Sequence, residues 1–168
     1  MTMTSFPKLR LIAITASMAF LAACGGAPDG DGADGEAAAD QPAVIGERQE
    51  NFEAIGDAFK LIRSELEIDN PDFAAIGNAA TDINGRAQKI TGYFPEGTSV
   101  DDGYDTEALA TIWEDPTGFE TAAQNLVDAS AEMMTVAASG DAAAVAAQAK
   151  EVGGTCKGCH DKFRLDDD

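Results

Sequence analysis

Apolar residues recur along this chain at alternating spacings of three and four, in four separate stretches. The first stripe is Ile45, Arg48, Phe52, Ile55, Phe59, Ile62 and Leu66, with a single arginine among the apolar positions. A second runs Phe73, Ile76, Ala80, Ile83, Ala87, Ile90, and a third Phe119, Ala123, Leu126, Ser130, Met133, Ala137. The last runs Val145, Ala149, Val152, Cys156, Cys159, Phe163. A period near 3.5 is the seam of helices that wind around one another with a left-handed twist; strands would repeat every two residues. The punctuation agrees. Asn70-Pro71 and Asp115-Pro116 each set a capping residue before a proline at the first helical position, and Gly140-Asp141 closes one helix and opens the next. The pattern predicts helices over 43–67, 71–92, 116–139 and 141–164. The first and third links are short, so each of those helix pairs is expected to be antiparallel. The 93–115 connection is long, with a short helix expected at Thr106–Trp113, where it could cap the bundle.

Ahead of the first stripe the chain changes character twice. Residues 1–23 hold Lys8 and Arg10 and then an apolar run, Leu11 to Ala22, of secretory-signal length and too short to span a bilayer comfortably. Leu21-Ala22-Ala23-Cys24 is similar to a bacterial lipobox, in which cleavage leaves a lipidated cysteine; an ordinary signal cut near the same small residues is the alternative. Residues 24–42 then follow as Cys24 and a stretch of Gly, Ala and Asp with no aromatic or basic residue. Such a composition cannot bury enough surface to fold, and as a coil it reaches on the order of 23 Å. The third segment, 43–168, is long enough for one domain with a sizeable core.

Charge narrows the partners. The formal net charge is −19, and about −21 once 1–23 is removed with its two basic residues. That excess argues against nucleic acid and anionic membrane surfaces. The terminal Asp166-Asp167-Asp168 reads as solubility rather than docking.

The chemistry is concentrated in Cys156-Lys157-Gly158-Cys159-His160. Two thiols three apart with a histidine directly after form the pattern of c-type haem attachment. On a helix the two sulfurs project from nearly one face, so each can add to one vinyl group of the porphyrin while the imidazole ligates the iron. Zinc sites and thioredoxin-like pairs share the first four letters of the motif. A structural zinc site needs two further ligands, yet His160 is the sole histidine and the other cysteine is Cys24. No βαβ pattern accompanies the thiol pair. The expected cofactor is therefore one haem c, bound through Cys156 and Cys159 with His160 on the metal. Attachment outside the cytoplasm agrees with the signal.

Axial ligation follows from what else the chain can offer. Met133 and Met134 are the only methionines of the 43–168 segment. They fall late in the third helix, about 20 Å along the bundle axis from His160, and read as core filler. The iron is expected to be five-coordinate.

Residues 43–168 resemble the cytochrome c′ family. The resemblance rests on Arg48-Gln49 early in the first helix, on Phe94-Pro95-Glu96-Gly97-Thr98, on Ile112-Trp113 before the third helix, and on the haem motif followed by Arg164. It implies an all-α, antiparallel up-down-up-down four-helix bundle, the architecture cytochrome c′ itself exemplifies, with covalent haem near the C-terminal end of the fourth helix. It also implies Phe52 as the distal residue over the iron, the alternative being a core phenylalanine. Arg48 would meet a haem propionate, or else snorkel to solvent. Gln49 would assist it. Arg164, one turn past His160, is a haem-edge residue or a cation favoured by the helix terminus; Glu107 is a haem-edge candidate by family position alone. Dimerisation through the first two helices is common in the family, so the resemblance also implies a homodimer here, and a lipoprotein would sit in the periplasm, with the outer membrane favoured by analogy. The functional expectation is binding of small gases, nitric oxide and carbon monoxide, in nitric oxide trapping or detoxification. Electron transfer with a redox partner protein is the alternative. Peroxidase activity ranks behind both, for want of a distal acid–base group.

Overall fold

A computed structural model describes residues 41–165. The proposed signal, Cys24, most of the tether and the terminal aspartates lie outside the described residues. Four long helices dominate: α1 (Ala43–Glu65), α2 (Phe73–Ala87), α4 (Pro116–Ser139) and α5 (Ala142–Phe163), with a single-turn α3 (Thr111–Glu114) between the second and fourth. They form the antiparallel up-down-up-down bundle that the family resemblance implies. Among the described residues the only β pairing is an isolated antiparallel bridge between Ala108 and Arg164, and no helix is long and apolar enough to cross a membrane.

Local chemistry sets the ends. The Asp115 carboxylate accepts from the Gly118 N–H at 2.9 Å, with Pro116 at the first helical position as expected. A Cβ at Gly118 would sit 2.0 Å from Asp115 Oδ2, so a larger residue there would displace the capping carboxylate. Gly140 turns the chain with φ +70, and Asp141 accepts from the N–H groups of Ala143 and Ala144 to start α5. The second helix departs from expectation at both ends. Its cap is Asp72, which accepts from Ala74 and Ala75, so Pro71 precedes the helix. Regular α geometry stops at Ala87, and a 3₁₀ turn at Ile90–Tyr93 takes the remaining apolar position.

The short helix expected at Thr106–Trp113 is the larger correction. Residues 106–109 run extended beside the end of α5, where Leu109 N–H donates to the Phe163 carbonyl at 3.1 Å and Leu165 N–H to the Glu107 carbonyl at 2.8 Å. Backbone groups spent on that bridge cannot close helical turns. Only Thr111–Glu114 remains helical.

The stripes bury as the period demands. Ile62, Ile76, Ile83, Met133, Val145 and Val152 are fully or almost fully buried. Phe52, Phe59, Leu66 and Phe73 pack against this core from partly exposed positions. α1 packs along α2, α2 along α4 and α4 along α5. On the remaining side α1 and α5 make sparse contact. Phe59 lies against Gly153, where a Cβ would come within 3.4 Å of the ring; toward the start of α1 the two helices leave room.

Candidate functional site

The room between α1 and α5 is a cavity of 460 Å³, within the range of about 300–1,000 Å³ usual for cofactor-sized sites. α1 contributes Arg48, Gln49, Phe52 and Glu53, while the last turns of α5 contribute Cys159, His160, Phe163 and Arg164. The antiparallel bundle makes this possible, because the start of its first helix and the end of its last lie at the same end. The long connection closes the site with Phe94 and residues 105–108. Every residue that the sequence nominated lines this cavity except Cys156, which is half-buried one turn before Cys159. Met133 is in the core at 0% exposed, and neither it nor Met134 lines the cavity.

The walls are aromatic. Phe94 is the hub, edge-on to Phe52 at 6.3 Å between centroids and to Phe119 at 4.8 Å. Phe119 meets Phe163 at 5.3 Å in turn. Behind this wall Trp113 donates its indole N–H to the Phe94 carbonyl at 3.1 Å, fixing the loop that carries the hub. Phe94, Phe119 and Phe163 were legible only as a loop marker and two stripe positions. Nothing in their spacing says that they share a wall.

Arg48 is 2% exposed, which excludes snorkelling. Its Nη1 donates to Thr98 Oγ1 at 3.1 Å, and its Nη2 to the Thr98 carbonyl and to Thr106 Oγ1, both at 2.6 Å. The guanidinium also lies over the Phe94 ring, 4.8 Å from its centroid, a cation–π contact. Burial lowers its pKa from the ordinary arginine value. Gln49 donates to the Asp105 carbonyl at 2.9 Å and so holds the loop to α1. Arg164 and Glu107 form an ion pair across the Ala108–Arg164 bridge, so both expected edge residues tie the loop to the end of α5. Thr98 and Thr106 are the partners that sequence reading passed over, since their link to Arg48 spans fifty residues or more.

The three motif side chains are suited to a haem. Burial, then the positive charge of Arg164, lowers the His160 pKa, with Glu107 and Asp161 opposing. The imidazole is thus held toward its neutral, metal-ligating form. Burial raises the Cys156 thiol and pushes Cys159 up to about 11, with the neighbouring Cys156 adding to the shift. Among the described residues no three His, Cys, Asp or Glu side chains are grouped to hold a metal ion. With Cys159 and His160 on the cavity wall, Cys156 one turn before them, aromatic walls and a buried cation, the residues fit a haem.

The family model described as Cytochrome C' matches residues 43–164. The chain belongs to the cytochrome c′ family. A relative from Rhodospirillum rubrum, a cytochrome c′, is 35% identical over 134 residues, covering 77% of this chain and 86% of that one. The solved cytochrome c′ from Rhodobacter sphaeroides superimposes with a TM-score of 0.70 at 30% identity, covering 77% of this chain and all of that one. Another solved cytochrome c′, described as having an unusual ligand-controlled dimer dissociation, matches with a TM-score of 0.67 at 28% identity, covering 74% of this chain and 95% of its own. Membership of this family makes the chain a c-type haem protein.

Proposed function

We propose that this cytochrome c′ family member would hold one haem c through thioethers at Cys156 and Cys159, with His160 the one side chain to ligate its iron, and that it binds small neutral gases, nitric oxide foremost, for trapping or detoxification. The observation that carries this reading is the cavity lining. It includes the chain's one imidazole and no methionine. When bound, haem iron supplies a position for a diatomic ligand and a one-electron couple.

The remaining work belongs to the chain's own side chains. His160, kept neutral, presents a nitrogen lone pair to the metal. Phe52 and Phe94 offer neither a lone pair nor a proton, so they exclude water and favour uncharged ligands. Arg48 supplies a buried positive charge for a propionate. A peroxidase needs an acid–base group beside the reacting oxygen. The acids lining this cavity, Glu53, Asp105 and Glu107, are solvent-exposed, which favours gas binding. One solved relative is described as having a ligand-controlled dimer dissociation, which supports a ligand-responsive role for this fold. The same proposal has the domain work in the bacterial periplasm, tethered to a membrane through lipidated Cys24.

Absorption spectra of the ferric and ferrous protein, with and without carbon monoxide and nitric oxide, test the proposal. The expected ferrous spectrum is broad and high-spin and changes on adding either gas. A sharp low-spin α-band unmoved by carbon monoxide would instead establish the electron-transfer alternative.

A further inference from the structure

The Thr106 hydroxyl holds an unusual position. It accepts from Arg48 Nη2 at 2.6 Å and from the Ala108 N–H at 3.2 Å. A hydroxyl has two acceptor lone pairs and one donor, so both lone pairs are engaged and only the O–H is left to give. Thr106 lines the cavity. Thr98 differs: its hydroxyl accepts from Arg48 and donates to the Pro95 carbonyl at 2.8 Å, so its proton is spent inside the loop.

Arg48 has a matching surplus. Three of its guanidinium hydrogen bonds go to Thr98 and Thr106, whereas an arginine carries five donors. All three acceptors are neutral oxygens, so its charge is not cancelled by a carboxylate. The other cation on the lining, Arg164, is paired with Glu107. Glu53, Asp105 and Glu107 make the rest of the lining acidic. An anionic group entering this cavity is repelled except where Arg48 stands.

We propose that Thr106 is a second binding residue for a carboxylate in this cavity: its free O–H donates to the carboxylate that Arg48 attracts, while its oxygen holds Arg48 in place. The inference rests on the haem reading, in which that carboxylate is a propionate. Thr106 is then both a ligand-contacting and a positioning residue, and it couples the long loop to the charge balance at the haem.

The test uses the haem-loaded protein and three substitutions. Thr106→Val removes the hydroxyl and keeps the side-chain volume, Thr106→Ala removes both, and Thr106→Ser keeps the hydroxyl. Losing the hydroxyl leaves the carboxylate less neutralised and favours ferric iron. The expected result is a lower midpoint potential in the Val and Ala variants, by up to tenfold in the ferric-to-ferrous ratio, about 59 mV for one electron. The propionate-bending region of the resonance Raman spectrum should move with it, and Thr106→Ser should restore both. Wild-type potential and Raman bands in a folded Ala variant, with only the melting temperature lowered, would overturn the inference and leave the haem reading standing. A wild-type protein that carries no covalent haem in a pyridine haemochrome assay would overturn both.

Discussion

At the scale of single residues, the site depends on side chains that withhold chemistry as much as on those that supply it. Phe52 fills space where a ligand or a proton donor could stand. Phe52→Ala is expected to open the wall beside Phe94 and accelerate carbon monoxide rebinding after flash photolysis, with an alkyl isocyanide showing the larger gain. The stability cost is about 3 kcal/mol, the low end for phenylalanine truncation because the ring is half-buried. Equal rebinding rates in two folded proteins would remove Phe52 from the site. Burial of the thiols gives a second expectation. Cys159 stands at about 11 in the fold, above its ordinary value of 9.0. Below pH 9 the thiol is protonated in folded and unfolded chains alike; above it only the unfolded chain ionises, so stability is lost as pH rises from about 9 toward 11. Urea midpoints of the haem-free chain at pH 8 and 10.5 should therefore fall less in Cys159→Ser than in wild type. Parallel declines would show that Cys159 is not buried in this way.

At the scale of elements, helix caps and the loop bridge do the positioning. α4 starts on one carboxylate, and Gly118 is the residue that lets Asp115 fold back over the helix end. Gly118→Ala should destabilise the domain by about 1 kcal/mol, the usual value of an N-cap, even though alanine is ordinarily the better helix former. Thermal unfolding of the two proteins checks the sign. A more stable alanine variant would mean that the cap is dispensable. The bridge from Ala108 to Arg164 has a different task. It joins the long connection to the end of the haem-motif helix, while Arg48 and Gln49 join the same connection to α1. The long connection thus ties to both helices that frame the cavity, α1 and the end of α5.

At the scale of the whole molecule, an acidic domain follows a segment proposed to be lipidated. The acidic surface offers anionic lipid nothing, so attachment should depend on acyl chains worth about 0.8 kcal/mol per buried CH₂. Cys24→Ser is expected to move the protein from the membrane fraction to a soluble or unprocessed form on cell fractionation. A wild-type protein found wholly in the soluble fraction would refute the lipobox reading.

Much of this was written in the order of residues. The four helices are legible because burying one face of a helix forces a period near 3.5, which no loop or strand imitates over six or seven positions. The caps Asp115 and Asp141 and the turn at Gly140 are local, and so is the haem motif, whose thiols and imidazole lie within five residues. The second helix differs at both ends from what its spacing predicts, because Asp72 caps as well as Asn70 would and because the last apolar position fits a 3₁₀ turn. What tertiary structure alone decided is non-local. Residues 106–109 have a sequence that allows helix, but bridge bonds to the end of α5 outweighed that preference. Snorkelling of Arg48 is the alternative that local spacing leaves open, and Thr98, Thr106 and the Phe94 ring close it. Periodicity reports which face of an element is buried; only the packed chain determines what that face meets, because hydrogen bonds across fifty residues leave no mark on local spacing.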